Sequence, residues 1–258
     1  MAMREVRLRQ LHEDVVRQGS VQVPVLARQH AVSEETIRRD LDRLASLGLV
    51  VRTRGGALAP GTSLTELDVH VRAREHRAEK LAVARAVVER LVVNGTSVAL
   101  DTGSTVLEIA RALRGRQVTV VTNSLPVVNE LAGTGCSLVV LGGSLRTRSL
   151  ATVGPMAETG AEQFHCDLAI ISAPAMTPEL GPMDTDLEAI EIKRTFIRRA
   201  RKTYVALDHS KLGRTAFSKI CETTELTGLV TDDGADPDIL DAFRALGLDV
   251  IVGTRAHD

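Results

Sequence analysis

The apolar positions in the first part of the chain repeat with the period of short helices. Residues 4–18 carry apolar side chains at mostly helical spacing, and a second helix opens at Pro24, a residue suited to a first turn. Ile37, Leu41 and Leu44 then recur at intervals of four and three residues, which places them on one stripe of a third helix. The pattern therefore predicts three short helices, the third with a single buried face.

The polar face of the third helix is rich in charge. Ser33 stands just before it and is predicted to cap it, because a serine hydroxyl accepts hydrogen bonds from the unpaired N–H groups of a first turn. Glu34 and Glu35 suit the positive end of the helix dipole, and Arg39 projects opposite the apolar stripe. The other polar residues near this face are Thr36, Arg38 and Arg43.

Residues 49–57 alternate apolar and polar side chains up to a pair of glycines, which predicts a β-wing with a tight turn. Three helices and a wing make a winged helix-turn-helix, whose last helix docks in the major groove of DNA. The predicted DNA-binding residues are Ser33, Glu35, Thr36, Arg38, Arg39, Arg43, Arg52 and Arg54. Of these, Thr36 and Arg39 are expected at base edges. A small helical protein-interaction domain with solvent-exposed arginines is the alternative.

Beyond the turn-rich residues 59–63 the pattern changes to short apolar runs between helical stretches, starting with a long helix at about 71–93. The apolar runs are 97–100, 118–121, 138–141, 168–171, 204–207, 229–231 and 250–252, and the later helical stretches are 106–113, 126–131, 187–200 and 237–246. This alternation predicts a mainly parallel sheet covered by helices on both faces. We expect an α/β protein with a small winged helix-turn-helix domain at 1–58, a linker at 59–75 and a larger domain at 76–258.

Composition narrows the class of protein. The 258 residues are 44% hydrophobic and 25% charged with a net charge of -1, which is typical of an ordinary globular protein of two domains. Residues 1–57 hold ten arginines against seven acidic residues, and arginine is the side chain that forks onto phosphate and guanine. Aromatic residues are only 2%, which argues against a stacking platform for single-stranded nucleic acid.

The expected cellular compartment follows from features that the sequence lacks. Three cysteines without close spacing suggest no disulfide framework, so we expect a reducing cytoplasm. Neither a signal peptide nor a run of about 18 apolar residues is evident, so no membrane partner is expected.

Four predicted strands end in loops of small and hydroxylated residues. Because the carboxyl ends of parallel strands share one edge of a sheet, these loops are expected to form a single crevice for a small, hydroxylated, phosphorylated ligand. The predicted effector-binding residues are Asp101, Thr102, Gly103, Ser104, Thr105, Thr122, Asn123, Ser124, Gly142, Gly143, Lys193 and Lys211. Each loop alone is more often a turn or a helix cap; their occurrence at four strand ends favours a site.

Three features leave alternatives open. Asp101 is either an acceptor for sugar hydroxyls or the cap of the following helix, and His209 either contacts ligand or is a solvated loop histidine. The acidic run at 232–236 precedes Pro237, so we interpret it as a turn with helix-favouring acids rather than a metal cluster. We expect neither a metal nor a cofactor.

These motifs together resemble the DeoR family of bacterial transcriptional regulators over nearly the whole chain. The resemblance rests on 32–41, Leu44, 48–49 and 55–57 in the first part, and on Lys80, 101–105, 121–125, 141–143, 193–194 and 208–211 in the second. It implies a double-stranded DNA operator, repression as the commoner mode, and a homo-oligomer, a dimer or a tetramer. It also implies a sensor related in fold to ribose-5-phosphate isomerase that binds a sugar phosphate.

Three places depart from the family pattern, one of them Gly95-Thr96, which replaces a usual Gly-Asp before the first strand of the second domain. Arg54 stands where the family usually has histidine, and 171–174 replaces a stretch that usually contains Phe-x-Gly. The alternative function is a sugar-phosphate isomerase-like enzyme with an appended DNA-binding domain. Residues 233–236 resemble an isomerase motif, but no lysine-glycine-rich stretch follows them, so we predict a regulator rather than an enzyme.

Overall fold

The structure, a computed structural model, describes residues 2–18, 20–46, 49–52, 55–58, 73 and 75–255. It divides into two compact units, Met1–Asp68 and Val69–Asp258. The domain limits expected from the sequence stay a prediction, because most of the intervening residues lie outside the described ranges. No helix in those ranges is long and apolar enough to cross a membrane.

The N-terminal unit contains three helices and a small sheet. Its helices are α1 (Ala2–Gln18), α2 (Val23–Gln29) and α3 (Glu34–Ser46), and its strands are β1 (Ser20–Gln22), β2 (Val51–Arg52) and β3 (Gly56–Leu58). The strands pair antiparallel in the order β1-β3-β2. A Cβ at Gly56 would lie 1.8 Å from the Val21 carbonyl oxygen, so close pairing of β3 with β1 requires glycine there.

The C-terminal unit is built on a seven-stranded sheet. Its strands are β4 (Ser97–Leu100), β5 (Thr119–Thr122), β6 (Ser137–Val140), β9 (Cys166–Ile171), β12 (Ala200–Ala206), β14 (Gly228–Asp232) and β15 (Asp249–Gly253). They lie in the order β15-β14-β12-β9-β4-β5-β6, and every neighbouring pair is parallel. This sheet confirms the predicted α/β class, and it places all seven carboxyl ends at one edge.

Helices cover both faces of the sheet, as the apolar strands predicted. They are α4 (Arg77–Leu91), α5 (Ser104–Leu113), α6 (Leu125–Leu131), α7 (Pro155–Glu162), α8 (Leu187–Arg198) and α9 (Pro237–Ala245). One core packs Val83 and Ile109 of α4 and α5 against Leu100 of β4. The other packs Phe196 of α8 and Phe243 of α9 on the opposite face. The two cores keep neighbouring residues of each strand buried on opposite sides.

Several short strands were not predicted. They pair antiparallel and comprise β7 (Ser144–Arg146) with β8 (Ala151–Val153), and β10 (Ala175–Thr177), β11 (Gly181–Asp184) and β13 (Ser218–Lys219). With two to four residues each, they are too short for a periodic pattern.

The long helix predicted at about 71–93 is wrong at its start. Helix α4 begins at Arg77, after a turn in which His76 has a φ of 50°. A left-handed residue cannot continue a right-handed helix, so the apolar periodicity before it does not extend α4.

Candidate functional site

The N-terminal turn of α3 has the geometry that its sequence predicted. The Thr36 backbone N–H donates to Ser33 Oγ at 3.2 Å, so the serine caps the helix. Ile37, Leu41 and Leu44 are all buried in the core of this unit. The stripe therefore faces inward, and the charged side of α3 faces solvent.

Asp40 is an acid on the buried side of α3 that sequence reasoning missed. It is 2% exposed, and its Oδ2 accepts from Arg7 Nε of α1 at 2.7 Å. A buried carboxylate is stable only with such a partner, so this pair fixes α1 against α3. The signal available in the sequence was an acid beside Leu41 on the apolar face.

The arginines of α3 are exposed and paired along the helix. The Arg39 side chain is 74% exposed, with Nε 3.2 Å from Glu35 Oε1, and Arg38 donates to Glu34 Oε2 at 2.6 Å. Arg43 is also exposed. These guanidinium groups share the exposed face with Glu34, Glu35 and Asp42, and a polyanion can reach them.

The wing is joined to α3 through Arg52. Its Nε donates to Asp42 Oδ1 at 2.6 Å, and its Nη1 donates to the Gly56 carbonyl. Because these contacts use much of the guanidinium, Arg52 braces the wing as well as adding charge to it. Arg54 lies outside the described residues.

The sheet order brings most of the predicted effector residues together. The loops after β4, β5 and β6 follow three adjacent strands and contain the residues at 101–105, 122–124 and 142–143. Lys211 follows β12, which is separated from β4 by β9. The intervening loop, 172–174, therefore also borders this edge.

Lys193 lies under this edge and is bound on three sides. Its Nζ is 2.8 Å from Asp101 Oδ2 and 3.1 Å from Asp184 Oδ2, and it donates to the Ser172 carbonyl at 2.9 Å. The side chain is 3% exposed. Lys193 was predicted to contact the effector, which stays a prediction, but in this structure its ammonium pairs with the buried Asp101 and the partly buried Asp184.

Burial and the ammonium act in opposite directions on the two carboxylates. Burial is the largest influence on Asp101 and raises the pKa of that group despite the nearby Lys193 charge. Burial also opposes ionisation of Asp184, but there Lys193 and two backbone N–H groups outweigh it and lower the pKa. Asp184 was missed because it belongs to the short strand β11.

The interpretation of Asp101 as a helix cap is wrong. The N-cap of α5 is Gly103, at a φ of 134° that favours glycine, and no side chain caps this helix. Asp186 caps α8 and Asp236 caps α9, each accepting from first-turn N–H groups, whereas the N-cap residues of α4, α6 and α7, like that of α5, make no such bond. The start of α5 therefore keeps its N–H groups for another partner, next to the buried Thr102, Ser104 and Thr105.

Gly143 and Gly142 differ in their surroundings. A Cβ at Gly143 would lie 2.7 Å from the Val153 carbonyl oxygen, so packing against β8 requires this glycine. A Cβ at Gly142 would meet nothing within 4 Å, which leaves room beside its backbone.

His209 is held by a buried acid. Its ring Nδ1 is 2.8 Å from Asp232 Oδ2, and its backbone N–H donates to Asp232 Oδ1 at 2.7 Å. Asp232 is fully buried, so it does more than favour the start of the following helix, the role that the sequence suggested for the acids at 232–236. Asp236 does cap α9, as expected of helix-favouring acids, and Asp233 pairs with Arg255.

Comparison with known families decides what these two units are. The DeoR-like helix-turn-helix domain matches residues 7–62, and the DeoR C terminal sensor domain matches residues 75–233. The chain belongs to the DeoR family. This assignment makes it a transcriptional regulator with a DNA-binding domain and a sensor domain, as the sequence resemblance implied.

Relatives of this DeoR-family chain align along most of their length. A candidate aga operon transcriptional repressor from Escherichia coli O157:H7 is 34% identical over 95% of this chain and 93% of its own length. The transcriptional repressor AccR from Agrobacterium fabrum is 34% identical over 81% and 82%. The glycerol-3-phosphate regulon repressor from Escherichia coli K12 is 32% identical over 85% and 87%. All three are named as repressors rather than enzymes.

Solved structures give a weaker comparison. Ribose 5-phosphate isomerase from Methanocaldococcus jannaschii is 20% identical and covers 54% of this chain and 55% of its own, with a TM-score of 0.41. At that score the likeness supports no argument about activity.

Proposed function

We propose that this DeoR-family regulator represses carbohydrate-metabolism genes and is controlled by a phosphorylated sugar bound at the carboxyl edge of the seven-stranded sheet. The E. coli K12 relative named for the glycerol-3-phosphate regulon supports a phosphorylated effector. The class of effector, the operator and the oligomeric state are all part of what we propose.

The DNA-binding half of the proposal places α3 in the major groove. Thr36 and Arg39 contact base edges there, while Arg38, Arg43 and Arg52 contact phosphates. Exposure of the charged face of α3 supports this assignment, because its buried face is already occupied by the core.

The observation that carries the sensing half is the uncapped start of α5. A helix N-terminus presents backbone N–H groups and a positive dipole end, which together suit a phosphate. Here that terminus follows Gly103 and is flanked by the hydroxyls of Thr102, Ser104 and Thr105. Lys211 supplies a further cation from the loop after β12.

Control of DNA binding requires that the effector favour one state of the protein. A ligand with equal affinity for both states shifts nothing, however tightly it binds. We propose that the regulator acts as a homo-oligomer, a dimer or a tetramer, on paired half-sites, so that a change in subunit arrangement alters operator affinity.

Operator titration with and without sugar phosphates tests the proposal. DNA upstream of the chain's own gene and its neighbours is titrated with the full chain in a gel shift, alone and with ribose 5-phosphate, glucose 6-phosphate, galactose 6-phosphate or fructose 1-phosphate. At least one sugar phosphate should shift the binding curve by about tenfold, a typical coupling between two sites. Identical curves with all four would contradict sensing of these four ligands.

A further inference from the structure

Two buried acceptor atoms lie unpaired at the carboxyl edge of the sheet. Asp101 and Asn123 are each 1% exposed, and Asp101 Oδ1 and Asn123 Oδ1 have no hydrogen-bond partner among the described residues. A buried acceptor without a donor is costly, so each one needs a partner that the protein itself does not supply, such as a water molecule or a ligand.

The other polar atom of each side chain is anchored. Asp101 Oδ2 accepts from Lys193 Nζ and from the Ser172 backbone N–H at 3.3 Å. Asn123 Nδ2 donates to the Thr152 carbonyl at 2.9 Å, and because a carbonyl needs a donor, this contact identifies Oδ1 as the unpaired end of the amide. Both acceptors are therefore fixed in direction.

The two residues lie level with each other. Leu100 is in register with Thr122, so the next residues, Asp101 and Asn123, occupy equivalent positions on neighbouring strands, about 4.8 Å apart along the hydrogen-bonding direction. Asp101 contacts Lys193 of α8, and the residues two positions before it and before Asn123, Ala99 and Val121, share the core that α8 covers. Both side chains thus lie on the same face of the sheet, the face that α8 covers.

Lys193, the cation that contacts Asp101, is already fully used. The ammonium of Lys193 has three hydrogens, and it already has three acceptors in Asp101, Asp184 and Ser172. With two carboxylates around one ammonium, a phosphate or carboxylate group would be repelled here. A neutral hydroxyl of a ligand is a donor that this charge environment can accept.

We propose that Asp101 and Asn123 recognise two hydroxyl groups on neighbouring carbons of the effector. This inference rests on the proposed function, in which the phosphate binds at the start of α5, three residues along the chain from Asp101. Two adjacent hydroxyls, each donating one hydrogen bond, match two acceptors on adjacent strands. The site then selects a sugar phosphate that keeps this diol over its deoxy analogues and over phosphorylated sugar acids with a carboxylate there.

The test uses the full chain and monodeoxy sugar phosphates. Among the four sugar phosphates named above, the one that most raises the melting temperature is compared by calorimetric titration with its monodeoxy analogues at successive carbons. Removal of either of two neighbouring hydroxyls should weaken binding at least about tenfold, because each loss leaves a buried acceptor unpaired. Losses below about twofold at every carbon, or large losses only at carbons that are not neighbours, would overturn the diol assignment. If no sugar phosphate binds at all, the proposed function itself fails, and this inference with it.

Asp101→Asn assigns one hydroxyl to one residue. The asparagine oxygen should stay with Lys193 and Ser172, which turns its amide N–H toward the ligand and replaces an acceptor with a donor. A ligand hydroxyl can accept as well as donate, so this contact persists in the variant with the roles reversed. The deoxyfluoro analogues, whose fluorine can accept but cannot donate, should be penalised in the wild type, and at one of the two carbons that penalty should shrink to less than about threefold in the variant. Glu108→Gln is the matched control, since Glu108 is equally buried and has an unpaired Oε2, but its other oxygen pairs with Arg111 on α5. An unchanged penalty in Asp101→Asn, or an equal reduction of the penalty in Glu108→Gln, would overturn the assignment. If Asp101→Asn does not fold, the comparison of analogues with the wild-type protein still tests whether the site recognises a diol.

Discussion

The charged face of α3 and the cluster around Lys193 both pair cations with carboxylates, but they do so in opposite settings. On α3 the partners are four residues apart, as in Glu35 and Arg39, and both side chains are mostly exposed. Lys193 is buried and meets Asp101 and Asp184, which come from the ends of two different strands. The α3 pairs join residues that are close in sequence and exposed to solvent. The Lys193 cluster joins residues that are distant in sequence, around a buried ammonium.

That difference predicts different roles for similar ion pairs. An exposed pair contributes little to stability, so the arginines of α3 can exchange their carboxylates for DNA at small cost. A buried pair cannot lose one partner without leaving an uncompensated charge, so the Lys193 cluster should be a rigid part of the sensor.

The largest expected effect is from Lys193→Met. Loss of the ammonium leaves the buried Asp101 and the partly buried Asp184 without their shared cation, and the free energy of unfolding should fall by about 3 to 5 kcal/mol. Urea unfolding of the full chain measures this. Lys202→Met, at an exposed lysine of β12, is the control and should change stability by less than about 0.5 kcal/mol. Equal effects of the two substitutions would mean that burial does not distinguish these lysines.

The next effect is a change in acid sensitivity. The folded pKa of Asp184 is lowered below the ordinary value of 3.8, so its ionised form stabilises the protein above that pH, and the contribution is lost as the pH falls through the folded pKa. Asp184→Asn should therefore lose less stability than the wild type between about pH 5 and pH 3. Unfolding curves at several pH values check this; parallel losses in both proteins would argue against the Lys193 contact as the cause.

Arg39→Ala should act on DNA rather than on stability. If Arg39 reads a guanine, its loss should weaken operator binding by about 1 to 3 kcal/mol and relax the preference at one base pair, with little change in unfolding. Arg38→Ala is the comparison. It should weaken binding to all DNA sequences alike, and it should reduce the slope of log affinity against log salt concentration by about one. Gel shifts at several salt concentrations separate the two. Unchanged affinity and preference in Arg39→Ala would remove that residue from the interface.

The smallest effect expected is from Ser33→Ala. Removing the hydroxyl that accepts from the Thr36 N–H should lower the stability of the N-terminal unit by about 1 kcal/mol. Ser33→Asp keeps an acceptor and should retain most of it. Calorimetric unfolding of the full chain measures both, and an equal loss in the two variants would show that capping is not what Ser33 contributes.

The same contrast explains what the sequence could predict. The α3 cap and stripe depend on residues within a few positions of one another, so Ser33 and Ile37 were placed correctly from spacing alone. The parallel strands were also found, because each is a continuous apolar run. The start of α4 was missed, because the spacing of apolar residues gives no sign that His76 adopts a left-handed conformation.

Contacts between distant segments were beyond such reasoning. Asp101 could be read as a cap or as a ligand contact until Lys193 was seen to reach it from α8. Asp184 had no signal, because β11 is four residues long and its partner strands are as short. Asp40 was an acid on an apolar stripe, and only the approach of Arg7 from α1 explains it.

The order of strands also sets a problem for folding. Strand β4 lies inside the sheet between β5 and β9, and its pairing with β9 joins Leu100 to Ile170 across the whole span of β5, β6 and the β7-β8 pair. During synthesis, one edge of β4 therefore stays open after β5 and β6 have emerged. Long-range parallel pairing of this kind is slow, and unpaired edges invite aggregation. The part of the sensor domain that is synthesised first therefore needs β9, which is synthesised much later, to pair the open edge of β4.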